Sequence, residues 1–431
     1  MIVDQIQVWH NGQQLTLPRS QCHFIDRTRV NVGQRCQMKR FVQYNAGPEG
    51  RGLVSAYENE DLALGKAVHE GLEYMLMNPD DTDITNGAEI AYRSFKRSAQ
   101  AGLTVQGDPF MSETFPEAFE SLIEEQAWLA YALVWAFGRR RLPGLLDEFE
   151  VVAVEPEIAW LLGINAGCDL EDLPGSVFVP GFQLQYIVMM SRPDAILRHR
   201  TLGRLWTVSW KTTKRFTSES LEKLESDTQT LTEGLAVQHR FGEECAGSYY
   251  GYFVKGSKDL DKDLGFKRYS SPLIRPYCKT TSVTFNPDDL KAAYEWFDGE
   301  RSRKLGTTFK RVNMWEMGDI QEWLADLDSG NIQPEAQRDW LSEAVVEPAR
   351  QLFDPAHAER WVRSTIKNEV DNWLTPDPAS LTCESGSCFA YRARCFAYDH
   401  CWRGKVLGDY VAEGRWKVRE ANHEDEFSEE E

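Results

Sequence analysis

What the 431-residue chain lacks narrows its class before any motif is read. No apolar run approaches the length of a membrane-spanning helix. The start, Met1-Ile2-Val3-Asp4-Gln5, shows no basic segment followed by an apolar stretch, so no secretory signal is expected. No internal repeat is visible. No Walker A phosphate loop is present, which excludes a helicase motor of its own, and no Ser-His-Asp or Cys-His nucleophile arrangement stands out. Positive charge is scarce: 48 Lys and Arg against 67 Asp and Glu give a net charge of −19. That is not the overall footprint of a nucleic-acid binder, although it says nothing about a local basic groove. The acidic residues from Glu420 to Glu431 read as a solvated tail. The whole chain is 42% hydrophobic, enough for a sizeable core. The expectation is a soluble, cytoplasmic protein with no membrane partner.

Periodicity places the elements. Asn11-Gly12 within an alternating stretch is a hairpin signal. Residues 29–45 read as a short helix carrying Cys36. Residues 59–77 read as an amphipathic helix with Leu62, Val68, Leu72 and Leu76 at helical spacing. A loop at 80–88 precedes a strong helix at 115–140, which Pro143-Gly144 ends. Strands follow: Val151 to Val154 leading into Glu155-Pro156-Glu157 and Trp160, then 182–190, 205–210 and 249–254. Residues 218–241 should be one helix opened by Thr217 or Ser218, 286–304 another, and 335–374 mostly helical. This order suits an α/β fold with a mixed core sheet and helical additions.

One constellation carries chemistry. Arg192-Pro193-Asp194-Ala195-Ile196 is followed, across a Gly203 turn, by Trp206-Thr207-Val208-Ser209-Trp210-Lys211-Thr212. A hairpin would bring Asp194 and Lys211 to one edge of the sheet. A carboxylate there can hold Mg²⁺ or Mn²⁺ through hard oxygen ligands, and the lysine can orient water and stabilise charge on phosphorus. The plainer alternative is a structural ion pair, since Pro-Asp is common in turns. Glu155 and Glu157, on the preceding strand, could also approach such a metal. Lys214, Arg215, Lys255, Lys258, Lys267, Arg268 and Arg275 could line a phosphate-tracking groove or be ordinary surface charge.

These motifs resemble the PD-(D/E)XK nuclease superfamily, in its RecB-like, iron–sulfur branch. Gly65-Lys66-Ala67-Val68-His69 is similar to the G-x-x-x-H motif, Pro193-Asp194 to the PD motif, and Ser209-Trp210-Lys211-Thr212 stands where D-x-K-T is usual. Gln229 opens a Q-x-x-x-Y-like motif in which Glu233 replaces the tyrosine. The resemblance implies a restriction-endonuclease-like sheet, metal-dependent DNA cleavage, His69 and Asp194 as metal ligands, and Lys211 and Gln229 as catalytic residues. It also implies a helicase or recombination partner in a bacterial or phage-infected cell, with a role in recombination or repair.

Ser209 replaces the second carboxylate of that pattern. Some relatives with S-x-K supply the acid from the next helix, which points to Glu225 as the third ligand, with Glu233 as the alternative. Glu222, Glu225, Gln229 and Glu233, three and four residues apart, would share one face of a continuous helix. The plainer reading of that stripe is a solvated helix face. A rival function is a catalytically inactive relative that binds DNA or a protein.

Nine cysteines in such a chain argue for metal or free thiols rather than disulfides. Cys388, Cys395 and Cys401, spaced by aromatics, resemble the C-terminal motif of the iron–sulfur branch. That resemblance makes Cys36 the distant fourth ligand of a [4Fe–4S] cluster clasping the two ends. The alternative is zinc held by Cys383, Cys388, Cys395 and Cys401, which would suit an interaction protein with no nucleic-acid role. The domain plan expected is 1–28 as N-terminal strands, 29–410 as the nuclease-like domain with core motifs at 59–255 and cysteines at 383–401, and 411–431 as a disordered acidic tail.

Overall fold

The computed structural model describes residues 5–46, 52–81, 83–104, 116–165, 185–225, 227–260, 267–271, 273–274, 280–284, 308–312, 317–330, 339–374, 395, 397–403, 405–414 and 416–419. Two five-stranded sheets organise it. The central sheet runs Ala349–Leu352, Cys245–Val254, Leu205–Thr213, Ala195–His199 and Phe149–Val154 across its width. It is mixed: Leu205–Thr213 is parallel to Cys245–Val254, and the other pairs are antiparallel. The fold is therefore α/β with a mixed sheet, as its pattern of strands and helices led one to expect.

The second sheet was not legible as a unit. The N-terminal hairpin, Gln5–His10 with Gln13–Pro18, turns at Asn11-Gly12, where both residues take positive φ (50° and 77°). It lies beside Ile158–Asn165, then Gln185–Ser191, then Cys22–Asp26. Residues 5–26 thus form a sheet with strands more than a hundred residues downstream.

The chain passes between the sheets at two neighbouring corners. Phe149–Val154 belongs to the central sheet and Ile158–Asn165 to the second, so what reads as one run in sequence breaks at Glu155-Pro156-Glu157. The return crossing is Ser191-Arg192-Pro193-Asp194, between Gln185–Ser191 and Ala195–His199. The corners are stitched by Glu155 N–H donating to the Asp194 carbonyl at 3.0 Å.

One face of the central sheet is covered by helices Glu60–Met77, Thr85–Gly102 and Pro116–Arg140. The first buries Leu64, Val68 and Leu72 completely, each contributing about 1.5–3 kcal/mol. Leu62, expected on that stripe, is 64% exposed. The first two helices cross where Gly71 and Gly87 meet: a Cβ at Gly71 would lie 2.6 Å from the Gly87 carbonyl. On the other face, helix Thr228–Phe241 fills the space between the sheets with Leu231, Ala236 and Val237 against Ile196, Leu205, Ile158 and Trp160.

Several expectations are corrected. The loop ends before Thr85, where the second helix begins. Helix Leu142–Glu148 follows Arg140, its proline seated in the first turn where no N–H is needed. The helix expected at 29–45 is two, Arg27–Arg35 and Gln37–Tyr44, with Cys36 extended between them (φ −164°, ψ 111°). The helix expected at 218–241 is also two, Ser218–Glu225 and Thr228–Phe241, because Asp227 accepts the Gln229 N–H and starts a new helix. Strand Ala349–Leu352 interrupts the region expected to be helical, between Trp340–Ala344 and Pro355–Leu374. The start of the expected tail is ordered, since Trp416–Val418 pairs with Leu53–Ser55; residues 420–431 and 285–307 lie outside the described residues. No helix among the described residues is long and apolar enough to cross a membrane.

Candidate metal centre

Asp194 sits at the corner entering the Ala195–His199 strand, with Ala195 opposite Val208. Its Oδ2 accepts the backbone N–H of Trp210 at 2.5 Å, which fixes the carboxylate beside the neighbouring strand. The Trp210 ring is anchored edge-on against Phe137, Tyr249 and Phe253, over Gly251, where a Cβ would come within 2.5 Å of the indole. His69, on helix Glu60–Met77, reaches the same place: Nε2 is 3.2 Å from the Trp210 carbonyl and Nδ1 is 3.3 Å from Asp194 Oδ1.

Both ring nitrogens of His69 thus face oxygens that accept, while a neutral imidazole carries a single N–H. Either the ring is doubly protonated, or Nε2 keeps its hydrogen and Nδ1 offers a lone pair to a cation shared with Asp194. Burial lowers the imidazole pKa, but Asp194 and Glu155 outweigh it, and the net shift is upward.

Glu155 completes the cluster. One ligand atom from each of His69, Glu155 and Asp194 lies within 4.8 Å of the other two, and no other such group of three occurs among the described residues. Glu155 has φ +41°, a left-handed conformation that costs a non-glycine residue on the order of 1 kcal/mol or more. Arg192 holds its carboxylate at 2.7 Å and reaches Glu157 at 3.6 Å. The donor set of one imidazole and two carboxylates suits a divalent cation, the oxygens being what Mg²⁺ or Mn²⁺ prefers.

Lys211 lies one residue beyond Trp210, half-buried, with its pKa lowered by burial and by Arg27. Its ammonium donates to Gln229 Oε1, which also accepts from Arg27 Nη1 at 2.8 Å. The Gln229 amide then donates to Ser209 Oγ and to Glu233 Oε1, each at 2.6 Å. All four hydrogen-bonding positions of the amide are filled, and two cationic donors fix which end is oxygen. Burial pushes the Glu233 carboxyl up to about 8, and its Oε2 is buried without a hydrogen-bond partner. His69, Asp194, Lys211, Gln229 and Glu233 line a cleft of about 490 Å³ together with Arg27, Arg192 and Arg419.

The structure therefore brings together His69, Asp194, Lys211 and Gln229. It does not carry the shared helix face of Glu222, Glu225, Gln229 and Glu233: the break at Asp227 separates the first two from the last two, and Glu222 is exposed. The side chain of Glu225 lies outside the described residues. Ser209 is fully buried and its hydroxyl is engaged by Gln229.

Part of the basic groove is also corrected. Lys255 pairs with Asp61 at 2.7 Å, Lys258 with Glu60 at 2.6 Å, and buried Arg268 with Glu125 at 2.6 Å. Arg275 lies outside the described residues. Sequence reasoning missed Arg27 and Arg419, which no motif marks.

The cysteines divide. Cys36 caps helix Gln37–Tyr44, its sulfur accepting the Lys39 N–H at 3.4 Å. Cys395 and Cys401 pack against the same small apolar cluster as Cys36, with Met38, Val42, Leu53 and Ala397. Cys383 and Cys388 lie outside the described residues. Against known proteins, no family model matches the sequence, and no curated protein matches it.

Proposed function

We propose that this protein is a metal-dependent nuclease that hydrolyses DNA phosphodiester bonds at the corner between its two sheets. The observation that carries the reading is the convergence of His69, Glu155 and Asp194 on one point, with Lys211 projecting from the adjacent strand. His69 Nδ1, Asp194 and Glu155 would hold Mg²⁺ or Mn²⁺, which when bound supplies Lewis acidity toward a phosphoryl oxygen. Lys211 would orient the attacking water and offset charge developing on phosphorus. Gln229 holds that ammonium in place, and Ser209 and Glu233 hold Gln229.

On this reading Glu155 stands in for the acid missing at position 209, so the count of anionic ligands is preserved. The cysteine-lined junction supports a [4Fe–4S] clasp through Cys36, Cys395, Cys401 and Cys388, with zinc as the competing occupant. Four thiolates are what such a cluster requires, and it would close a loop of more than 350 residues, limiting the unfolded chain. Visible absorption with iron and sulfide analysis separates the two metals.

A catalytically inert DNA-binding relative is the second reading, favoured by the capture of Lys211 by Gln229. Cleavage of single- and double-stranded DNA with Mg²⁺ or Mn²⁺ decides between them. Activity in the wild type, lost in Glu155→Gln and kept in Glu225→Ala, is the expected result. No cleavage by the wild type, together with cleavage gained in Ser209→Asp, selects the inert relative.

A further inference from the structure

Four cations line the cleft, and three of them already have partners. Arg192 pairs with Glu155 and Glu157, Arg27 with Asp227 at 3.3 Å and with Gln229, and Lys211 with Gln229. Arg419 differs. It follows the Trp416–Val418 strand, whose pairing with Leu53–Ser55 delivers it to the cleft from the far end of the chain. Its backbone N–H donates to the Gly52 carbonyl and its Nε to the Gln43 carbonyl, each at 3.0 Å. The guanidinium lies 4.2 Å from the centre of the Tyr44 ring. Among the described residues no carboxylate forms an ion pair with it, although Asp26 also lines the cleft and caps the helix behind it through the Arg29 N–H.

A guanidinium oriented by the Gln43 carbonyl and an aromatic face, without a carboxylate partner among the described residues and opening on a cleft beside the candidate metal centre, is built to receive an anion. Its planar fork fits phosphate oxygens, and its ordering is already complete before a ligand arrives. We propose that Arg419, with Arg27 also lining the cleft, forms a phosphate subsite that binds the backbone phosphate next to the one held at the metal centre. This rests on the nuclease reading and deepens it: the C-terminal strand, outside every motif, supplies a substrate contact. Because Val418 and Leu53 belong to the cysteine-bearing apolar cluster, the junction of the chain ends also positions this subsite.

The test measures binding of a fluorescein-labelled oligothymidylate, with Ca²⁺ in place of Mg²⁺, as a function of salt for wild type, Arg419→Gln and Arg419→Lys. Circular dichroism and melting temperature serve as folding controls. Loss of one phosphate contact lowers the slope of log K against log salt by about 0.7 on single strands. The expected result is that lower slope and about tenfold weaker binding in R419Q, with the slope retained in R419K. An unchanged slope in R419Q reduces Arg419 to a packing residue on Tyr44 and overturns the proposal. Inorganic pyrophosphate is the second probe. If the wild type ignores the oligonucleotide but binds pyrophosphate through Arg419, the anion subsite stands and the nuclease reading falls. If it binds neither, both fall.

Discussion

Asp194→Asn separates the charge of the cluster from its geometry, because asparagine retains an oxygen for the Trp210 N–H. At 3.3 Å and an effective dielectric near 20, the gross attraction between protonated His69 and Asp194 is about 5 kcal/mol. The two side chains are 28% and 16% exposed, so screening and desolvation leave roughly 1–3 kcal/mol. The folded-state imidazole pKa is raised. The pair therefore contributes fully below the unfolded value near 6.5 and fades as pH climbs through the folded value. In metal-free protein, D194N should cost most stability in mild acid and least in alkali.

Metal binding should show the opposite slope, since it needs the imidazole lone pair. Affinity for Mn²⁺ should rise up to about tenfold per pH unit below the folded pKa, with a proton released on binding. In D194N the larger part of the upward push on His69 is removed and only that of Glu155 opposes burial, so proton release should shift to lower pH. Affinity itself should fall by about 100-fold or more, since an inner ligand matters at least as much as the outer-shell partners whose loss costs 10–100-fold. Calorimetry in buffers of differing ionisation enthalpy, between about pH 5.5 and 8.5, measures both quantities. Wild-type Mn²⁺ affinity in D194N, or affinity that falls as pH rises, would refute the shared-cation geometry.

Three further outcomes are expected. Lys211→Met should reduce cleavage by a factor on the order of 10² to 10⁴ while leaving Mn²⁺ affinity within a few-fold, as single-turnover kinetics and calorimetry can check. Glu369→Ala should destabilise the fold by about 3–5 kcal/mol in urea titrations, because buried Arg40, 2.5 Å from that carboxylate, would lose its partner. Burial lowers His23 and His239 to about 4, so unfolding takes up protons below pH 6.5 and stability should fall from there toward pH 4, by on the order of 3 kcal/mol for each ring; His239→Asn should flatten its share of that slope.

Much of this site was readable because its residues lie on elements with strong local signals. The Gly203 turn forces a hairpin, and a hairpin forces Asp194 and Lys211 together. His69 follows from a helix whose buried stripe holds Val68, Leu72 and Leu76 as expected, though not Leu62. What could not be read depended on long-range pairing. Nothing local shows that Val154 and Ile158 belong to different sheets, and so nothing places Glu155 opposite Asp194. The continuous glutamate stripe failed for a smaller reason: Asp227, a good N-cap, ended the periodicity two residues before Gln229. Arg419 was hidden in a tail whose composition reads as solvated, and only the Leu53–Ser55 pairing gives it a place.

The serine at 209 then takes a different meaning. In a hairpin strand, positions 209 and 211 point to the same side, so an aspartate at 209 would face the Gln229 amide that Ser209 now engages. Gln229 is held from the other side by two cations, Lys211 and Arg27. A carboxylate inserted there would compete with Gln229 for Lys211 and add a second negative group beside Asp194, next to a Glu233 carboxyl that burial already pushes up to about 8. The neutral hydroxyl instead leaves Gln229 free to bridge Lys211 and Glu233, while in the proposed metal set the second anion would come from Glu155, held in its left-handed turn by Arg192. Serine at 209 and glutamate at 155 are on this account one substitution in two places, and Ser209→Asp should restore cleavage to Glu155→Gln better than it improves the wild type.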